Sequence, residues 1–401
     1  MRKIRVLKNS IQAYEWGSKT AIPELLGLGK PAVEPQAELW MGAHPKAPSR
    51  VDCNGVWRSL LEVIAENPHE VLGRATARRF SNKLPFLFKV LAAAKPLSIQ
   101  AHPNQRQARE GFLRENTIGI PLGADKRNYR DENHKPEIIC ALTPFWALNG
   151  FRQVREIQRL LGKIQVPPLV ETLSFLEGPS SRQGLKGFFF HLMTMEKDKQ
   201  GKIVKAAAAY AEKWREQEPV WTWIARLNEE YPGDMGVLSP AFLNLVRLEP
   251  QQAMYLGAGE LHAYLQGVGI ELMANSDNVL RGGLTGKHID IQELLNILNF
   301  SEAQPNILQP VSVASGETVY PTGTAEFVLS VVRVRGGAPF IGARNRSVEI
   351  MICTKGEATV TDVGDGRTTG LPRGTSIVVP AAVDQYRIEG EATIYKAAVP
   401  L

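Results

Sequence analysis

Ala253-Met254-Tyr255-Leu256-Gly257-Ala258-Gly259-Glu260-Leu261-His262-Ala263-Tyr264-Leu265 reads as a short apolar strand, a glycine-rich turn and a second strand carrying one histidine. Side chains alternate faces along a strand, so Glu260, His262 and Tyr264 share one face. A strand, a tight turn and a strand with an inward imidazole is how a small double-stranded β-helix presents a metal ligand to its interior. A second stretch, Pro96-Leu97-Ser98-Ile99-Gln100-Ala101-His102-Pro103, repeats the theme. Gln100 and His102 point the same way along it, and Pro103 and Asn104 end the strand, which leaves His102 near its open end. A carboxamide oxygen and an imidazole nitrogen both suit a divalent metal such as zinc.

A carboxylate lies between these two stretches. His134-Lys135-Pro136-Glu137 leads into the apolar run Ile138-Ile139-Cys140-Ala141-Leu142. Pro136 biases Lys135 towards an extended conformation, so Glu137 sits at the mouth of a buried strand. A carboxylate there is costly unless it meets a cation or a metal, and a salt bridge to a nearby Lys or Arg is the competing reading. Gln100, His102, Glu137 and His262 then offer two nitrogens, two oxygens and no sulfur. That set is compatible with zinc, and equally with iron or manganese.

The rest of the chain bounds the problem. At 401 residues there is room for two or three domains and a sizeable core. The net charge of +6 permits an anionic ligand such as a sugar phosphate and is too weak to imply nucleic acid. Cys53, Cys140 and Cys353 are odd in number, scattered and without CxxC spacing, so no disulfide framework is expected and a reducing compartment, the cytoplasm, fits. The basic N-terminus lacks an apolar signal core, and no run approaches the roughly 18 apolar residues of a membrane span.

Along the chain, short strands and turns are expected up to about residue 60, with His44 before Pro45 read as a turn residue. Trp57, Leu60, Leu61 and Ile64 recur at helical spacing, which predicts a helix over 57–80. Helical periodicity takes over from 151, with segments near 169–176, 183–195 and 203–229, and Trp221 and Trp223 as helix core. Strands resume after Tyr231-Pro232-Gly233-Asp234. The division this predicts is 1–150 and 235–318 as one barrel, 151–234 as a helical insert, and 319–401 as a second barrel. Matching Thr375–Pro380 to Gln252–Gly257 puts Gln385 where His262 stands, so the second barrel is expected to hold no metal.

Several segments together carry a family likeness: PLSIQAHP (96–103), NHKPEIICALTPF (133–145), GELHAYLQG (259–267) and ELMANSDNVLRGGLT (271–285), with YEWGS (14–18) near the start. They resemble the type I mannose-6-phosphate isomerases, in order and over most of the chain. The resemblance implies a mainly β fold of two cupin-like barrels with an inserted α-helical domain, and one Zn2+ per chain. It places the zinc ligands at Gln100, His102, Glu137 and His262, and an active-site arginine at Arg281. It implies a small-molecule sugar phosphate as substrate and interconversion of mannose 6-phosphate and fructose 6-phosphate through an enediol(ate). The sequence leaves the oligomeric state open, with a monomer among the alternatives.

The base for that proton transfer is open between Glu271, Lys135 and His134. Glu271 is basic at neutral pH without any shift, whereas Lys135 needs its pKa depressed. Lys135 or Lys287 offers a cation for the phosphate, while Trp16, Ser98, Tyr264 and Asp277 are expected to line the pocket. The family more often has Ala at Gly283 and Pro at Gly286, which suggests a looser loop here. The competing expectations are an isomerase of another sugar phosphate, or a metal-stabilised cupin that binds sugars without turnover.

Overall fold

In a computed structural model, which describes residues 1–178 and 180–401, two eleven-stranded sheets carry the chain. One runs from Ile307–Leu308 through Ala253–Leu256, Glu137–Ala141, His262–Ala274, Phe86–Ala93 and Glu38–Gly42 to Ser10–Gln12. Ile99–Ala101, Phe145–Phe151, Leu243–Leu248 and Leu280–Gly283 join it from the side. The other sheet is built mainly from residues beyond 310, around Glu349–Asp362 and Tyr386–Ala398. It also takes Arg5–Lys8, which pairs with Ser376–Val379, so the first strand of the chain lies in the sheet of the last.

His262–Ala274 is the pivot of the first sheet. Its start pairs with Gln100 and with Phe145–Phe151, and its end pairs on both sides, with Phe86–Ala93 and Glu137–Ala141. The changeover falls at a register shift between Tyr264 and Gln266, followed by Gly267 at φ +135°. A Cβ there would come within 2.8 Å of the Phe145 backbone, so only glycine allows the strand to bend across the barrel. The bend turns His262 and Glu271 towards one interior.

The helices Val154–Leu161, Pro167–Ser174, Ser181–Thr194, Lys197–Trp214 and Pro219–Glu230 pack in one cluster behind this site. Ile157, Leu160 and Leu161 are fully buried and share that cluster with Ile99, Ala101 and Leu280 on the site-bearing strands. Each such side chain contributes roughly 1.5–3 kcal/mol, so the helical layer acts as the back wall of the site. Trp221 and Trp223 lie in it, as expected for core. The expected helical segment 203–229 is two helices, because Pro219 cannot continue one and instead opens the next at its first turn.

The predicted helix over 57–80 is also corrected. Trp57 sits exposed in the strand Val56–Ser59, and after it come three short helices, interrupted at Pro68 and at Gly73, whose φ is +88°. Helical spacing was present, but a proline and a left-handed glycine broke the run. No helix among the described residues is long and apolar enough to cross a membrane.

Candidate metal centre and active site

His102, Glu137 and His262 come from three separate strands or strand ends, and each offers a ligand atom within 4.8 Å of the others. All three are buried. Main-chain carbonyls fix both rings: His102 Nδ1 lies 2.8 Å from the carbonyl oxygen of Asn278, and His262 Nδ1 lies 2.9 Å from that of Glu260. A ring nitrogen facing a carbonyl carries the proton, which leaves each Nε2 as a lone-pair donor. The two Nε2 atoms face different oxygens of Glu137, at 3.4 Å and 3.7 Å. His102 Nε2 is buried and has no hydrogen-bond partner. Burial first, and then the charge of Lys135, pushes the His102 imidazole down to about 4, so the ring is neutral.

Gln100, the fourth residue expected, lies beside this cluster in the strand register. It pairs with His262 on one side and with Arg281 on the other, and its carboxamide nitrogen donates to Ser98 Oγ at 3.3 Å. That bond leaves its oxygen free to act as a fourth donor atom. Two imidazoles, one carboxylate and one carboxamide oxygen fit a zinc-type ion, and the unpartnered Nε2 of His102 is the atom such an ion would satisfy.

Lys135 lies 2.9 Å from Glu137. Burial raises the Glu137 carboxyl, but Lys135 and the imidazoles outweigh it and hold the group well below the usual carboxylate range.

Glu271 faces the same interior from the far half of the pivot strand. Its carboxylate is 2.7 Å from Lys89, which is also 3.7 Å from Glu38. All three are buried, and Glu38 is held by the Trp40 indole at 2.6 Å. Burial opposes the charge on Lys89, yet its two carboxylates outweigh that and keep it protonated. The carboxylates share a single cation. Burial therefore pushes Glu271 up to about 7 in spite of Lys89, with Glu137 and Glu38 adding to the rise. The buried Tyr264 hydroxyl has no partner, and burial, then Glu271, pushes it well up, so it stays neutral.

The remaining expected residues divide. Trp16 packs beside Tyr264 in one cluster. Asp277 lies 2.9 Å from Lys46 and 3.6 Å from His44. Burial raises its carboxyl, but the Lys46 hydrogen bond and the charges of His44, Lys46 and Lys135 together bring it below its ordinary value. His134 is turned away to Glu326, at 2.8 Å. Lys287 is exposed. The loop around Gly283 is not loose. A Cβ at Gly283 would meet Gly236 at 3.0 Å, and Asp234 accepts from the amides of Leu284 and Thr285. Gly286 alone stands in open space.

Sequence reasoning missed Lys89, Glu38 and His44. For Lys89 there was a signal, a charge inside the run Phe86–Ala93 that had to be paired once buried. For His44 there was none, since a histidine before a proline reads as a turn.

Comparison with known proteins agrees with this arrangement. Residues 4–154 match the catalytic domain of phosphomannose isomerase type I, and residues 160–243 match its helical insertion domain. The chain belongs to the type I phosphomannose isomerase family. It is 45% identical to the mannose-6-phosphate isomerase of Salmonella typhimurium over 88% of this chain and 89% of that one. It is 44% identical to that of Escherichia coli, with the same coverage. A zinc-bound crystal structure of a mannose 6-phosphate isomerase superposes with a TM-score of 0.91 at 40% identity, over 99% of this chain and 100% of the other.

Proposed function

We propose that this chain is a zinc-dependent aldose–ketose isomerase that interconverts mannose 6-phosphate and fructose 6-phosphate. The observation that carries this is the buried, unpartnered Nε2 of His102, gathered with Glu137 and His262 beside a glutamate that titrates near neutrality. Gln100, His102, Glu137 and His262 would hold one zinc. When bound, that ion polarises the sugar oxygens at C1 and C2.

The protein groups do the rest. Glu271 takes the proton from C2 and returns it at C1, and the reverse for the ketose. A carboxyl near 7 is matched to both halves of that exchange at neutral pH. Lys89 keeps its proton throughout and steadies Glu271 in each state. Lys135 and His134 are less suited as the base, because each is engaged by a carboxylate, Glu137 and Glu326 respectively. Arg281 offers a permanent cation, either to the developing negative charge or to the phosphate. Trp16, Ser98 and Tyr264 line the pocket and exclude water, and Asp277 stands where it can accept from a sugar hydroxyl.

In this reading residues 1–150 and 235–318 make the catalytic barrel, 151–234 the insert and 319–401 a barrel without metal, with Arg5–Lys8 lent to that last barrel's sheet. One chain supplies every group named, which supports action as a monomer. Three free thiols support the cytoplasm.

Turnover of mannose 6-phosphate in deuterated water tests the reading. Fructose 6-phosphate carrying deuterium at C1, with no ketose from glucose 6-phosphate and none after chelation, is expected. Absence of ketose from either sugar would favour a binding protein.

A further inference from the structure

The cations around this site are nearly all committed. Lys89 is shared by Glu271 and Glu38, Lys135 is held by Glu137, and Lys46 by Asp277. Arg127 is bound to Glu115, and Arg114 to Glu293. Arg281 and Arg130 differ. Among the described residues neither has a carboxylate within salt-bridge distance, and neither guanidinium donates a hydrogen bond. Both are half-buried.

Their positions are fixed by one residue. The fully buried Asn278 accepts from the backbone N–H of Arg130 at 2.7 Å through Oδ1. Its amide nitrogen donates to the carbonyls of Asp131 at 2.8 Å and Asn133 at 2.9 Å. Its own carbonyl is the one that orients His102. Three residues on, Arg281 lies opposite Gln100 in the strand register. Arg130 is thus stapled to the segment that carries Arg281, next to the metal cluster. The two cations feel one another, since the Arg281 guanidinium lies below its ordinary value through burial first and Arg130 second. Two like charges held together without a counter-ion cost free energy that a bound anion would recover.

We propose that Arg130 and Arg281 together form the clamp for the phosphate of the substrate, with Arg130 a binding residue that takes no part in the proton transfer. This rests on the isomerase reading above for the identity of the anion. A pair of guanidinium forks matches the oxygens of a phosphate dianion better than a lysine does. The phosphate is at the far end of the sugar from C1 and C2, so the clamp sets how the sugar is delivered to the ion and to Glu271.

The test uses inorganic phosphate as probe, by calorimetry on the zinc-loaded protein, alongside isomerase kinetics. Only the backbone of Arg130 is used by Asn278, so Arg130→Ala leaves the loop staple intact, and its zinc content and melting temperature serve as the folding control. Expected is a loss of about 10- to 100-fold in phosphate affinity and a comparable rise in KM, with kcat little changed. Arg130→Lys keeps the charge without the fork and should fall between. Phosphate affinity and KM left at wild-type values in Arg130→Ala would overturn the clamp, and so would a fall in kcat with KM unchanged. Wild-type protein that binds phosphate, loses that binding in Arg130→Ala and yet isomerises no sugar phosphate would uphold the anion site and sink the isomerase reading instead.

Discussion

Each of the two sheets buries one lysine between two glutamates, near a tyrosine hydroxyl that has no partner. In the first, Lys89 lies 2.7 Å from Glu271 and 3.7 Å from Glu38, with Tyr264 close by. In the second, Lys396 lies 2.7 Å from Glu317 and 2.9 Å from Glu349, with Tyr386 close by. The difference is in the balance of charge. Arg346 stands 3.8 Å from Glu349, so the second cluster sets two cations against two carboxylates. The first sets one cation against two, so Lys89 does not offset the burial that lifts Glu271 to about 7, and Glu137 and Glu38 add to the rise. The second sheet also lacks imidazoles, for the chain has no histidine beyond His288. A balanced cluster holds a fold together. An unbalanced one beside metal-ligating groups can take up and release a proton.

The strongest way to break this contrast is His262→Ala. It should remove zinc and turnover together, a loss beyond the roughly 10- to 100-fold that outer partners of a metal ligand cost. Metal analysis with an isomerase assay checks it, and zinc retained at full stoichiometry would count against the site.

Next in size is a matched pair. Glu271→Gln should lower kcat by about 100- to 10,000-fold with zinc still bound. Glu349→Gln should leave kcat of the folded protein alone and destabilise it by about 3–5 kcal/mol, the scale for breaking a buried ion pair. Equal kinetic effects from both would erase the distinction between the two sheets.

The third consequence is in pH. A base must be unprotonated, so kcat/KM should climb as pH rises to about 7 and then level off, and Glu271→Gln should flatten that limb. Stability has the opposite sign. The folded carboxyl binds its proton more tightly than the unfolded one, whose value is near 4.5, so between about 4.5 and 7 the native state holds more protons. The stability this group contributes is complete below that window and is lost as pH rises through it. Denaturant melts of wild type and Glu271→Gln across the window should diverge accordingly. Smallest of all, Gln385→Ala, at the position matched to His262, should change stability by no more than about 0.5 kcal/mol and leave zinc and turnover as they were. A measurable loss of either would mean the second barrel shares in the chemistry.

Much of this was legible in the chain. Alternation placed His262 and Tyr264 on one face, and Gln100 with His102, because a strand's period is fixed by backbone geometry alone. The proline before Glu137 announced an extended entry to a buried run. What could not be read were the pairings that depend on which strands become neighbours. Lys89 faces Glu271 across 182 positions of sequence, and Asn278 reaches Arg130 across 148. Likewise Arg5–Lys8 joins Ser376–Val379, a register nothing local specifies. Helix ends were misread where Pro68, Gly73 and Pro219 overrode periodicity, although each of those residues was visible.

The central claim is that strands remote in sequence converge on one ion through two imidazoles and oxygen donors. X-ray absorption at the zinc edge of the purified protein tests this directly. One zinc per chain with two imidazoles and only oxygen besides is the predicted result; sulfur bound to the ion, or a zinc without histidine, would contradict it.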